Sequence, residues 1–230
     1  MGLIVIFIFF GILSFAVNRR LKSKFKKYSQ IQLKSNMSGQ EVAQQMLSDN
    51  GIHDVKVISV QGQLTDHYNP LNKTVNLSEQ VFYGRSTASA AIAAHECGHA
   101  VQHASAYNML KVRSALVPIQ NASGRILNII MMISIFGGFF VLNANWQVLL
   151  IVIIGCYFVL TMFSFITLPV EFDASKRALA WIEKKGIVSS QEHDMAKDAL
   201  KWAAMTYVVA ALGSLVTLLY FLSMFLGGRD

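Results

Sequence analysis

The residues with the clearest chemical potential in this chain are His95-Glu96-Cys97-Gly98-His99. On an α-helix, positions four apart lie on one face, about 6 Å along the axis. Two imidazoles so placed can converge on one metal ion. Glu96, one position round the helix, can reach the open coordination site and take a proton from water there. That combination is the apparatus of metal-assisted hydrolysis. Chance is a poor explanation: six His and six Glu in 230 residues give roughly 0.004 accidental matches. The bland alternative is a helix with surface histidines. It fits badly, because an Ala-rich, apolar helix is a costly place for two imidazoles and a carboxylate unless something binds them.

Zinc suits this donor set, being redox-inert and content with nitrogen and carboxylate ligands in four-coordinate geometry. A catalytic site keeps three protein ligands and an open position, so one ligand must come from elsewhere. His103 fails on distance, since eight residues of helix place it about 12 Å from His95. Cys97 points away from the histidine face and reads as packing. The block 169–202 offers Glu171, Asp173, Glu183, Glu192, His193, Asp194 and Asp198. Glu171 is the sharpest of these, because it follows closely on Pro169, where a long apolar segment ends.

The elements that must position these groups can be read from pattern. Ser38-Gly39-Gln40-Glu41 is a capping-box signature, and Asn50-Gly51 ends the helix it opens. Alternation around Val55, Val57 and Ser59 predicts a strand. A second strand is predicted over 73–81, where Val75, Leu77 and Val81 share one side and Glu79 breaks the alternation. This second strand reads either as an ordinary structural strand or, by the family resemblance described below together with the local pattern, as an edge along which a peptide could pair. Asn69-Pro70 marks a turn. An Ala-rich helix over 87–106, interrupted by no proline, carries the metal motif.

Composition places these elements at a membrane. The chain is 53% hydrophobic and 14% charged with a net charge of +7, and its mean hydropathy is +0.43. A water-exposed or disordered chain carries far more charge. Two cysteines, Cys97 and Cys156, exclude a disulfide framework. Segments 3–17, 126–144, 148–168 and 203–227 are long and apolar enough to span a bilayer as helices. Arg19, Arg20, Lys22, Lys24, Lys26 and Lys27 follow the first segment and none precedes it. The positive-inside rule then puts the N-terminus outside and residue 18 onward in the cytosol. A cleaved signal peptide would carry its charges before the apolar stretch. The uncharged link 145–147 reads as an external turn, and the basic block 169–202 returns to the cytosol. Asn128, Gly137-Gly138 and Gly155 are expected at helix–helix contacts.

The stretch from His95 to His103 has a counterpart in Leu168-Pro169-Val170-Glu171-Phe172-Asp173-Ala174-Ser175. With Asp66-His67-Tyr68-Asn69-Pro70 and the four-span plan, the chain resembles the YugP-type membrane zinc metallopeptidases. These are similar in plan to the wider HtpX and CAAX-prenyl-endopeptidase group. The resemblance covers nearly the whole chain. In the wider group the third zinc ligand opens a Glu-(Phe/Tyr)-x-Ala-Asp motif, so the resemblance implies that Glu171 is that ligand. Ser175 stands where the group has Asp. Four residues from Glu171, it shares a helix face with it and could serve as a weaker outer partner. Asp173, roughly opposite, reads as a solvated or structural carboxylate.

The expected architecture is mainly α with a small β element: a four-span helical membrane protein carrying a zincin-like cytosolic metallopeptidase domain. Its parts are an anchor at 1–17, a metallopeptidase region at 18–125, a membrane hairpin at 126–168, a cytosolic segment with the third ligand at 169–202, and a last span and tail at 203–230. The expected activity is that of a membrane-embedded zinc endopeptidase at the cytosolic face. Zn2+ would be held by His95, His99 and Glu171, with Glu96 as general base. Its partners would be the bilayer and membrane-protein or peptide substrates. No nucleic-acid motif accompanies the basic run, which reads as a topology signal. Tyr207 and His67 are positioned to be considered for steadying an oxyanion, but an interfacial-belt role for Tyr207 and a loop role for His67 are the better readings. The alternative function is a non-proteolytic membrane scaffold with a structural zinc site, against which Glu96 weighs. An intramembrane protease ranks last, because 85–105 carries Arg85, Ser86, Ser89, Gln102 and three histidines.

Overall fold

A computed structural model describes residues 1–136 and 146–227. Helix α1 covers Gly2–Ser29, α2 Gly39–Asp49, α3 Glu79–Phe82 and α4 Thr87–Ala104; α5 covers Asn108–Phe136, α6 Trp146–Lys184 and α7 Ser190–Gly227. Strands β1 (Lys56–Val60), β2 (His67–Asn69) and β3 (Thr74–Ser78) form one sheet in the order β1-β3-β2. The protein is therefore mainly helical with a small sheet. Among the described residues, four helices, α1, α5, α6 and α7, are long and apolar enough to cross a membrane.

The chain divides into two compact units. One consists of residues 1–15, 112–168 and 207–230; the other of 16–111 and 169–206. The two polar blocks of the sequence thus fold together as a single body. Residues 112–125 fall in the apolar unit. They belong to the same unbroken helix as 126–136, and Arg113 and Arg125 do not interrupt it.

In the polar-block unit, α2 begins with the predicted capping box: Ser38 Oγ accepts from Glu41 N–H while Glu41 accepts from Ser38 N–H at 2.7 Å. It ends where Gly51 takes φ +69°, and Ile52 N–H donates back to the Leu47 carbonyl at 2.9 Å. Val42, Ala43, Met46 and Leu47 of α2 are buried against the alanine-rich α4. The start of α4 is pinned by the strand-like stretch before α2: Leu33 N–H donates to Arg85 O and Thr87 N–H to Ile31 O. Ser86 caps α4 through Ser89 N–H.

Two expectations about the sheet are corrected. The strand predicted over 73–81 stops at Ser78, because Asp66 accepts from both Ser78 N–H (2.7 Å) and Ser78 Oγ (3.0 Å). The chain then turns into α3, with Glu79 in its first turn and Val81 and Phe82 buried. The broken alternation at Glu79 marks that turn. This strand is also central, paired parallel to β1 and antiparallel to β2, so it presents no edge for a peptide. The missed strand, β2, has just three residues.

The apolar segment ending at Pro169 does not end a helix either. α6 continues through Pro169 to Lys184, and the boundary between units falls at 168/169. Proline removes one helical donor, yet the helix runs on. Within the apolar unit, Leu150, Ile153 and Phe221 form a buried cluster, and Tyr157 stacks on Phe221 at 5.5 Å. A Cβ at Gly155 would meet open space, whereas one at Gly213 would lie 3.3 Å from Phe10. Close helix approach therefore uses Gly213, not Gly155. Asn128 is exposed, and Gly137-Gly138 and Asn145 lie outside the described residues.

The closest helix contact bearing on the metal motif is at Gly98, where an added Cβ would sit 2.6 Å from the Ala174 carbonyl oxygen of α6. Gly98→Ala gains about 0.5–1 kcal/mol of helix propensity but overpacks this contact at a cost of about 1–3 kcal/mol. A thermal-unfolding comparison of the detergent-solubilised protein should show the variant melting lower. A variant as stable as the parent would contradict the contact.

Candidate metal centre

α4 and α6 bring three donor groups together. Glu171 Oε2 lies 3.4 Å from His95 Nε2 and 3.6 Å from His99 Nε2. The three ligand atoms all fall within 4.8 Å of one another. The two imidazoles meet edge to face, with centroids 4.9 Å apart. Ligand bonds of about 2.1 Å at tetrahedral angles separate neighbouring donors by about 3.4 Å. The spacings about Glu171 Oε2 are therefore those of a zinc coordination shell, and two nitrogens with one carboxylate oxygen are a donor set that zinc accepts. All three residues lie within the polar-block unit.

The sequence explains this convergence. The four-residue spacing stacks both imidazoles on one face of α4. Gly98 lies between them in sequence, and its missing side chain lets the Glu171–Ala174 turn of α6 approach. Val170 and Ala174 are fully buried on either side of the carboxylate.

The remaining ring nitrogens are also engaged. His95 Nδ1 lies 3.1 Å from Ser175 Oγ, and His99 Nδ1 lies 3.0 Å from Gln102 Oε1. Such outer contacts orient metal-ligating imidazoles so that Nε2 is left for the ion. Gln102 was not singled out in the sequence. A glutamine three residues past His99 looks like a polar surface position, and its partners are nearly 70 residues away. The available signal was a polar side chain on the same flank of an alanine-rich helix as the two imidazoles.

Electrostatics bind the trio tightly. Burial alone would raise the Glu171 carboxyl, but donors from His95 and His99, together with their charge, outweigh it and hold Glu171 well below the usual range. Burial alone would lower His99; the hydrogen bond and charge of Glu171 outweigh it and raise His99 above its ordinary value. The carboxylate thus demands positive charge from its neighbours, which a divalent cation would also supply.

Glu96 lies beside this cluster and is buried. Its Oε2 accepts from the Tyr68 backbone N–H of β2 at 3.0 Å. Burial raises its carboxyl above the ordinary value. The imidazoles of His95 and His99 oppose that rise, and the charges of Glu171 and Asp66 add to it. A glutamate with a raised carboxyl takes up a proton more readily than an exposed one, as a general base must.

Other candidates lie apart from the trio. His103 is exposed, with Nδ1 2.8 Å from Tyr68 Oη. His67 is exposed, and its Nδ1 lies 2.8 Å from the Thr65 carbonyl. Tyr207 falls in the apolar unit. Cys97 is buried behind α4 against the Ala43 carbonyl, and burial pushes its thiol up. Asp173 accepts from Arg177 Nε at 2.6 Å and from Gln102 Nε2 at 2.8 Å. Glu192 accepts from Lys34 and Ser189 N–H, and Asp198 pairs with Lys24 and Tyr28. These last two fasten the start of α7 and the end of α1 within the polar-block unit.

Comparison with known proteins points to the same metal. A family model described as "Putative neutral zinc metallopeptidase" matches residues 3–226. The chain is 40% identical over 230 residues to "Putative membrane protease YugP" of Bacillus subtilis (strain 168), covering 98% of this chain and 99% of that protein. No solved structure matches. With nearly every residue inside the matched span and the histidine pair and buried glutamate assembled as zinc requires, the chain belongs to this neutral zinc metallopeptidase family.

Proposed function

We propose that the protein is a membrane-embedded zinc endopeptidase whose polar-block unit is a zincin-like domain on the cytosolic side. Its substrates would be membrane proteins or peptides held near the bilayer. The observation that carries this reading is the convergence of His95, His99 and Glu171 at ligand spacing with a buried carboxylate, Glu96, alongside. The membrane setting is supported by the four apolar helices and by the relative's name. Sidedness rests on the basic residues that follow the first span and populate 169–202.

When bound, zinc supplies Lewis acidity that polarises a scissile carbonyl and makes a nearby water acidic. The chain's own groups do the rest. The two Nε2 atoms and the Glu171 oxygen hold the ion, and their outer partners keep the rings in place. Glu96 takes the proton from the attacking water and passes it to the leaving amine nitrogen, first base and then acid. The Tyr68 N–H holds one oxygen of that carboxylate and so fixes its direction. A scaffold with a structural zinc would have no use for this base. A protease cutting inside the bilayer would need its motif in a span, and α4 is not among the described helices apolar enough to cross.

Three outcomes are expected. Glu96→Gln should keep a full complement of zinc while peptide cleavage falls by about 10²- to 10⁴-fold; normal cleavage by this variant would remove the assignment. Glu171→Gln should lose zinc during purification, measured by metal analysis against the parent protein. For sidedness, single cysteines at Gln30 and Glu183 should resist a membrane-impermeant maleimide in intact cells and react after lysis, whereas one at Gln147 should react in both. The reverse pattern would put the site outside.

A further inference from the structure

We infer that Gln102 is a positioning residue, held by Asp173 and Arg177, that fixes His99 as the Nδ1–H tautomer and so commits His99 Nε2 to the metal; this rests on the proposed zinc site. The side chain of Gln102 is fully buried. Its amide is within hydrogen-bond distance of three groups: His99 Nδ1 at 3.0 Å, the Val170 carbonyl at 2.8 Å and Asp173 Oδ2 at 2.8 Å.

The orientation of this amide follows from its neighbours. A carbonyl oxygen accepts and cannot donate, and an ionised carboxylate likewise only accepts. Arg177 Nε donates to the same Asp173 oxygen at 2.6 Å, an i,i+4 ion pair on α6, so that oxygen stands as an acceptor. Two acceptors therefore face one end of the Gln102 amide, and its NH₂ group must lie there. Its oxygen is left facing His99 Nδ1, which must then carry the hydrogen. The other ring nitrogen, Nε2, faces Glu171 and is the one left for the metal. Reversing the amide would set its oxygen against a carbonyl and a carboxylate and leave its NH₂ against the ring.

His95 has no such constraint. Its Nδ1 faces Ser175 Oγ, and a hydroxyl can donate or accept. The two metal-facing imidazoles are thus set differently, one by a one-way chain of donors and the other by a group that adapts. Gln102 also ties α4 to the backbone of α6 one residue before Glu171, so the same side chain that orients one ligand braces the helix carrying another.

The test uses the full-length protein in detergent micelles and measures zinc affinity by competition with a chelator. Gln102→Met preserves shape and removes every hydrogen bond of the amide. It should weaken zinc binding about 10- to 100-fold, and Asp173→Ala should weaken it several-fold. Because Asp173 acts through Gln102, the double variant should bind no more weakly than Gln102→Met alone. In ¹⁵N-histidine NMR spectra of the zinc-loaded protein, the slowly exchanging Nδ1–H of His99 should be lost or shifted in both single variants. Zinc affinity within twofold of the parent in Gln102→Met would overturn the inference, as would full additivity in the double variant. Should Gln102→Met not fold, Asp173→Ala decides alone: unchanged affinity and an unchanged Nδ1–H signal overturn the inference. Failure of the parent to bind zinc, or binding insensitive to His95→Ala, would instead overturn the metal-centre reading on which the inference rests.

Discussion

A carboxylate withdrawn from water is tolerable in a protein only when something positive faces it. Glu171 is 3% exposed, and the architecture around it answers that requirement. Two imidazoles on α4 point their Nε2 atoms at one of its oxygens. The helix that holds the carboxylate and the helix that holds the imidazoles must therefore stay within bonding distance, whatever else the fold does. The missing side chain at Gly98 permits it, and the caps and backbone bonds at the start of α4 fix the register. The sheet contributes by aiming the Tyr68 N–H at Glu96.

The same demand explains why acidic groups sit around the centre in graded environments. Glu171 is held low by its two donors, whereas Glu96 is raised by its burial and by the nearby charge of Glu171. Two glutamates within one small region are thereby pushed in opposite directions. One is suited to remain a ligand and the other to carry a proton. Asp173, farther out, is neutralised by Arg177 and takes part only through Gln102.

Much of this was legible in the chain, for physical reasons. Helix periodicity exposes the His95–Glu96–His99 face directly, and the Ser38–Glu41 box is local, so both can be read within a few residues. Apolar length alone marks the four long helices. What stayed hidden depends on distant partners or very short elements. Three residues of β2 cannot display an alternating pattern. The strand over 73–81 was overextended because a helical turn can place Val81 inward as readily as a strand can. The apolar run stops at Pro169 but the helix does not, because the continuous α6 absorbs the one hydrogen bond that proline costs. Gln102 escaped notice because its meaning comes from Val170 and Asp173, which only the fold brings to it.

The burial of Cys97 has a further consequence for how the protein first acquires its metal. In the folded chain this thiol is locked against α2, facing away from the imidazoles on either side of it. In an unfolded chain the same five residues would offer an ion two imidazoles and a soft sulfur donor. Ions captured there would favour the unfolded chain and subtract from the stabilisation that zinc gives the finished protein. Packing α4 onto α2 therefore does more than complete a hydrophobic core: it takes the sulfur out of reach of the cluster of His95, His99 and Glu171.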